Sequence, residues 1–465
     1  MDLLAAWLLY PLALACVCLG LALLLERLTA WRTPAALMLP IGFATLLALA
    51  RLITSYESTA RLALPVIGVL ALAGIAAGVS RLRALRPDPW LLLTAGGVFA
   101  VCAAPIVLSG APSFAGYLAL PDTSHQLALA DLYAQRGPDW TGLPEGSYRS
   151  TMTTYVLTSY PVAAQAALGV TAPLGILDIA WLYQPFLAFA LIVVSLAIWS
   201  LSVRLLRHRW QAALVTFAAS QSALLFGNYL TGSIKEIAAV AVLLTLVAVV
   251  AAAIHERQPA RALLPVAIAA AAALGALGPA AIPYLAVPAL VVVAIWGYRI
   301  LRTPRRSELL ALGAGVLLLV ILALPVLRTL GTAVATSDAV LTGLRDELGH
   351  LARPLEKAQV LGIWLTGDFR YDVLGDAETA QAILLWIAGI CAVVGLAWAV
   401  RRRHWGPLLL VATFLPVSAY LLERGTFYAD SKVLMLVSPA VTALVMLGAV
   451  VLWTGRWRAL GAVVS

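Results

Sequence analysis

The sequence predicts an all-α protein, a polytopic bundle of about 13 membrane-spanning helices with two outer loop regions that carry interfacial helices. Three observations predict it. Of the 465 residues, 62% are hydrophobic and 11% charged, against roughly 25% charged in a soluble domain. The mean hydropathy of +0.96 is too high for a chain that stays disordered and solvated. The apolar residues also form continuous runs rich in Leu, Ala and Val, unlike the alternating segments of about ten residues in a membrane barrel.

The runs, in order, cover residues 3–25, 34–54, 61–80, 89–108, 180–203, 211–229, 236–254, 262–277, 284–299, 308–327, 379–400, 406–422 and 433–453. Most reach the ~20 residues that carry a helix across hydrocarbon. The eighth and ninth are short and are split by Gly278-Pro279 and Pro283, which predicts a short or tilted hairpin. The first begins at Leu3 with no basic stretch ahead of it, which predicts a retained span rather than a cleaved signal. Cys16, Cys18, Cys102 and Cys391 all fall inside apolar runs without metal-ligand spacing and read as small core residues. No repeat of fixed period and no low-complexity linker divides the chain. It reads as one unit with N-terminal spans over 1–88, a module over 89–327 with a first outer loop at 109–179, a second outer loop at 328–378, and C-terminal spans over 379–465.

A net charge of +9 would point to nucleic acid in a soluble domain. In a membrane protein it follows from the enrichment of basic residues in cytoplasmic loops, so nucleic acid is not expected. With the N-terminus outside and the C-terminus cytoplasmic, 19 of the 31 basic residues fall in short inner loops. Only Glu26, Asp88, Glu256 and Glu308 of the acids do so. This assignment puts both long hydrophilic segments outside, where no nucleotide pool exists, and no Walker or Rossmann glycine pattern is present. Every charged residue can sit at a span end or in a loop. An ion-coupled transporter would need ionisable groups deeper in the membrane.

In the first outer loop, residues 123–135 and 151–168 have helical periodicity but are too polar to span. They are expected to lie in the interface plane, apolar face down. Asp122 precedes the first of them and fits two readings, a helix N-cap or a general base at the membrane surface. His125, three residues on, shares its helix face and reads as a neighbour of that base or as a solvated polar residue. Asp131 lies nine residues from Asp122 and so faces away, which speaks against a metal held by both. Arg149, Tyr155 and Tyr160-Pro161 could close over the site.

The chain uses 28 arginines and 3 lysines, Lys235, Lys357 and Lys432, all assigned outside. Two stand where electrostatics disfavours them. In TGSIKEIAAV, Ser233 and Glu236 fit a capping box, which puts Lys235 in the first turn of the seventh span. In YADSKVLMLV, Asp430 fits an N-cap, which puts Lys432 in the first turn of the last span. A cation there costs a few tenths to ~1 kcal/mol. A phosphate bound at these N-termini would offset the cost, as would pairing of each lysine with a neighbouring acid. In the second outer loop, Arg345, Arg353 and Arg370 are candidate phosphate contacts, and GIWLTGDFRYD could contact a sugar or lipid head group.

This arrangement resembles the GT-C class of integral-membrane glycosyltransferases. Those enzymes carry a first large outer loop with an acidic residue soon after a span, interfacial helices within it, and a second large outer loop six spans later. Here Asp122 follows the fourth span and the second loop follows the tenth. PDTSHQLALAD, GSIKE and YADSK look like motifs of an actinobacterial-type branch allied to this class, and the resemblance covers roughly residues 89–454. It implies a bacterial plasma-membrane enzyme that moves a sugar from a polyprenyl-phosphate donor to a cell-envelope glycan or lipid acceptor. Asp122 would be the general base, with His125 orienting it. Lys235, Lys432, Arg149, Arg370, Tyr428 and Tyr160 would hold the lipid phosphate and substrate. Many relatives pair acids in the first loop, whereas this chain has Asp122 with His125, so no cofactor is required and a divalent metal is not favoured. A polysaccharide polymerase or ligase, a lipid or glycan flippase or transporter, and a membrane scaffold are the rival readings.

Overall fold

The computed structural model describes residues 2–109, 122–256, 258–302 and 306–454. Pro121 and the arginines Arg257, Arg305, Arg456 and Arg458, expected in inner loops, lie outside them. Among the described residues every regular element is helical. The long helices are α1 (Asp2–Thr29), α2 (Ala35–Ile53), α3 (Ala63–Ala84) and α4 (Pro89–Ser109). The first loop folds as α5 (Asp122–Arg136), α6 (Ser147–Leu157) and α7 (Ala163–Thr171). Then come α8 (Ile179–Ser202), α9 (Arg209–Ser220), α10 (Ala223–Leu230), α11 (Ile234–Ile254), α12 (Leu263–Leu277), α13 (Ile282–Arg302), α14 (Arg306–Arg328) and α15 (Leu330–Thr342). The chain ends in α16 (Asp376–Arg401), α17 (Trp405–Arg424) and α18 (Phe427–Thr454).

Eleven helical stretches among the described residues are long and apolar enough to cross a membrane. They account for the thirteen apolar runs with two differences. The run at 211–229 is broken at Gln221 into α9 and α10. The runs at 262–277 and 284–299 form one 40-residue helical stretch with a break at Gly278, whose φ of +61° a residue with a side chain avoids.

Burial divides the bundle into layers. In α8, α11 and α18, 89%, 89% and 94% of the most apolar window is buried inside the protein, against 22–33% in α4, α14 and α16. The first three form the axis and the others present Leu, Ile, Val and Trp outward, as a lipid-facing surface requires. Small residues allow close helix approach, as expected where lipid supplies no hydrophobic drive between helices. Gly20 and Gly74 bring α1 against α3, Gly42 meets Cys18 between α2 and α1, and Gly395 and Gly448 bring α16 against α18 beside Cys391. Cys18, Cys102 and Cys391 are buried free thiols, whereas Cys16 is exposed on α1. One continuous apolar core runs from α1 to α18.

The bundle has two chemically different ends. At one, here the loop end, Gly137 after α5 packs on the backbone of Thr54 and Tyr56, and Arg328 at the end of α14 stacks on Tyr56. At the other, the arginine end, Arg81 bonds Glu26 and the Thr33 carbonyl, and Arg261 bonds the Ala30 carbonyl.

Two parts of the loop regions differ from the sequence expectation. The periodic stretch 151–168 is two helices rather than one. Pro161 interrupts it, and Ser159 takes a left-handed backbone conformation at φ +56°. The second piece, α7, has no exposed polar face; its residues are buried among α2, α5 and α12. The second loop, residues 328–378, packs partly back onto the bundle. A 3-10 turn at Lys357–Leu361 packs against α18 and α10, and the Gly362 carbonyl accepts from Ala223 N–H at 3.0 Å, at the start of α10. Trp364 and Phe369 are buried here, with Trp364 Nε1 donating to the Tyr371 carbonyl at 3.1 Å. GIWLTGDFRYD therefore spends these two aromatics on packing, and Tyr371 is left exposed.

Candidate functional site

Two helix starts meet at the loop end. Helix α11 begins after the tight turn at Gly232, where Tyr183 Oη donates to the Gly232 carbonyl at 2.6 Å. Helix α18 begins after Gly425-Thr426, and Thr426 Oγ1 accepts from Ala429 N–H at 3.1 Å. Thr426 thus caps α18, and Asp430 does not. Asp430 lies inside the helix with its carboxylate 3.4 Å from Arg345. The capping box predicted for α11 is also absent. Ser233 makes no side-chain cap and instead donates to Asn228 Oδ1 at 3.1 Å.

Glu236 is free of the cap because it binds both lysines. One carboxylate oxygen lies 3.1 Å from Lys432 Nζ and 3.7 Å from Lys235 Nζ. Glu236 is buried, while the lysine side chains keep 21% and 19% exposure. The ammonium groups therefore share one carboxylate, each backed by an aromatic ring. Lys235 Nζ lies 4.6 Å from the Tyr160 ring centre and Lys432 Nζ 5.2 Å from that of Tyr428. Two cations share one anion, so the cluster retains one net positive charge. The cost of a cation at each helix start is met by Glu236 and the rings.

The first loop supplies one wall. Asp122 opens α5 and is exposed. His125 Nδ1 is 3.3 Å from Tyr155 Oη, and Tyr155 meets Tyr160 edge-on at 4.9 Å. Gln126 Nε2 donates to Tyr160 Oη at 3.3 Å and is itself held by buried Gln165 of α7. A continuous chain of side chains thus leads from His125 through Tyr155 and Tyr160 to Lys235. Burial, then the neighbouring Tyr160 and Asp122, pushes the Tyr155 hydroxyl up to about 12. Burial and the Glu236 charge push that of Tyr160 well above the usual phenol range. Both phenols stay neutral and can donate hydrogen bonds. Asp131 faces away, exposed and bonded to Gln135 at 2.5 Å, as the helix rotation requires.

The second loop supplies the other wall. Its backbone pairs with the start of α18, Phe427 N–H to the Arg345 carbonyl at 3.1 Å and Tyr428 N–H to the Glu347 carbonyl at 2.9 Å. Gly349, at φ +56°, lies directly on the Tyr428 ring, where a side chain would collide. This places His350 edge-on to Tyr428 at 5.4 Å. Burial, reinforced by Lys432, lowers the His350 imidazole to about 4, against the opposing pull of Asp122 and Glu236. His350 is therefore neutral near pH 7, and it stands within electrostatic reach of Asp122, Lys432 and Glu236 together.

Of the sequence candidates, Asp122, His125, Lys235, Lys432, Tyr160 and Tyr428 fall in this one region. The outer arginines have other partners. Arg370 is clamped by Asp368, with Nη2 at 2.6 Å, and stands within electrostatic reach of His350. Arg353 pairs with Asp372 at 2.6 Å, and Arg345 with Asp430. Arg149 stacks on Trp140 at 5.5 Å and has no described contact with the lysine cluster. Charge at Arg345, Arg353 and Arg370 is balanced by these carboxylates, whereas Arg149 has only an aromatic partner among the described residues. Tyr155, expected to close over the site, lies against His125 and Tyr160, whereas His350, Gln126 and the bridging role of Glu236 were not predicted. The sequence did signal Glu236, because an acid beside one of only three lysines is the obvious partner for both misplaced cations. Among the described residues no group of three His, Cys, Asp or Glu is placed to hold a metal ion.

No family model matches the chain, and no curated protein or solved structure matches it either.

Proposed function

We propose that the chain is a membrane glycosyltransferase that moves a sugar from a polyprenyl-phosphate donor to a cell-envelope acceptor. The supporting observation is the pair of ammonium groups from two separate helices seated on one buried carboxylate, linked through Tyr160 and Tyr155 to His125, one turn from Asp122. One net positive charge at a lipid boundary suits a phosphate monoanion in transit, because full neutralisation would remove the attraction and two unpaired lysines would hold the product too tightly.

The acceptor hydroxyl attacks the anomeric carbon from the face opposite the phosphate. A carbon–oxygen bond forms there as the bond to the phosphate oxygen breaks, and that oxygen keeps the electron pair. Asp122 takes the hydroxyl proton, and His125, held by Tyr155, orients the acceptor or the carboxylate. Lys432 and Lys235 stabilise the charge that develops on the leaving phosphate. His350, neutral and beside Lys432, supplies a hydrogen bond rather than a charge. The donor comes from the face opposite the arginine end, which the enrichment of basic residues assigns to the cytoplasm. This puts the N-terminus outside and the C-terminus inside a bacterial plasma membrane.

The pairing of Arg345, Arg353 and Arg370 with carboxylates weighs against a polymerase or ligase that works mainly through arginine. The test is sugar transfer from polyprenyl-phosphate-linked sugars by the full chain in proteoliposomes. Asp122→Asn should lower the rate about 10²–10⁴-fold with an unchanged thermal unfolding profile. A variant as active as the parent would remove Asp122 from the mechanism.

A further inference from the structure

At the arginine end, six helix ends surround a cavity of about 690 Å³. The starts of α2, α4, α9 and α17 and the last turns of α8 and α11 line it. Arg86, Arg204, Arg209 and Arg403 stand around it, with Asp88 the only carboxylate in the lining. Asp88 is already used, since it lies 3.4 Å from Arg209 and accepts from Trp90 N–H at 2.9 Å. Arg86, Arg204 and Arg403 make no ion pair among the described residues. Deeper in, the wall becomes apolar, with Leu91, Leu201 and the buried Trp199.

The backbone at Arg403 is a second, independent observation. Helix α16 closes with His404 N–H bonded to the Ala399 carbonyl and Arg403 N–H to the Val400 carbonyl, each at 3.0 Å. That double bond pattern requires a left-handed residue at the position after the cap, where glycine is strongly preferred. Arg403 holds it instead, at φ +52°. Arg403 therefore combines a disfavoured backbone conformation with a place in the lining of this cavity.

We infer that this cavity is a binding site for an anionic phospholipid of the leaflet on the arginine side. Its phosphate would sit among Arg86, Arg204 and Arg403, and the upper acyl chain would lie on the apolar wall. Guanidinium groups match phosphate oxygens in pairs, which fits arginine rather than lysine here. A free phosphate or a soluble phosphate ester would satisfy the arginines but leave the apolar wall without a partner, so the lipid is the better fit. The inference does not depend on the transfer reaction at the loop end.

The experiment measures thermal unfolding of the full chain in neutral detergent, with phosphatidylglycerol, phosphatidylcholine or inorganic phosphate added. A ligand that binds only the folded state raises the midpoint. Phosphatidylglycerol should raise it, and the two controls should not. The triple variant R86Q/R204Q/R403Q should lose most of that rise. Arg403→Gly is the discriminating variant, because it relieves the backbone. Its lipid-free midpoint should match or exceed the parent's while its gain from phosphatidylglycerol shrinks. An equal gain in parent and triple variant would overturn the site, and an equal gain from inorganic phosphate would overturn the lipid assignment.

Discussion

The lysine site at the loop end and the cavity at the arginine end handle positive charge in opposite ways. Around the lysine site the cations are matched. Glu236 bridges Lys235 and Lys432, Asp430 holds Arg345, Asp368 holds Arg370, and Asp372 holds Arg353. At the arginine end, three of the four arginines around the cavity have no carboxylate. Matched charge with one cation to spare, fixed by rings and buried amides, suits a site that must bind a phosphate and release it. Unmatched arginines on an exposed rim suit permanent contact with lipid phosphates. The choice of lysine follows the same division, since its compact, hydrated ammonium can share one carboxylate, whereas arginine's planar fork favours its own partner.

The comparison can be broken most sharply at Asp122. Its conversion to Asn should cost transfer by the 10²–10⁴-fold given above, while the triple arginine substitution at the other end leaves the transfer rate within about twofold, as expected for charges remote from the reacting atoms. The next effect is smaller and sharpens the division within the lysine pair. Lys432→Gln should lower turnover about 10²–10³-fold, the scale of one lost charge-stabilising donor. Lys235→Gln should cost about tenfold less, because its ammonium stands farther from Glu236 and leans on Tyr160. Equal losses from both would show that the lysines act as one symmetric clamp.

Glu236→Gln tests stability rather than chemistry. It strands two ammonium groups, but these keep partial access to water. The loss should be about 2–3 kcal/mol, below the 3–5 kcal/mol of a fully buried pair broken on one side, read by chemical or thermal unfolding in detergent. A neutral result would mean that the lysines are solvated independently of Glu236.

A further effect is a pH dependence from His350. Its folded value lies near 4, lowered by burial and by Lys432, against about 6.5 in an unfolded chain. Between these values the unfolded chain binds a proton that the folded one refuses. Stability should therefore fall as pH drops from about 6.5 toward 4 and be independent of this group above that window. In His350→Gln the slope across the window should flatten. An unchanged slope would place the titrating group elsewhere.

Much of the fold was legible because lipid imposes one environment over a whole segment. The thirteen apolar runs are mainly helical, with a break at Gln221 in the sixth, and the rotation argument for Asp131 is met. Local rules failed where a tertiary partner competed for the same side chain. Ser233 and Glu236 have the spacing of a capping box, and Asp430 stands where a cap is wanted. Each carboxylate has a cation from a distant segment within reach, and a charge pair outweighs a cap. Residues 163–171 look interfacial by composition but are buried, because Gln165 finds Gln126 and so can leave water. Trp364 and Phe369 look like a binding surface in one dimension and fill the gap beside α10 in three.

The sequence by itself determined that this is a membrane bundle, that its basic residues collect at one end, and that two of its three lysines stand at helix starts needing compensation. It did so because hydrophobicity, helical rotation and the helix dipole act along a single segment. Only the tertiary structure decided that one glutamate serves both lysines, that Arg345, Arg353 and Arg370 pair with carboxylates, and that His350 reaches the same region. Those facts depend on which helices pack together, and that is fixed by the fit of every side chain in the bundle at once.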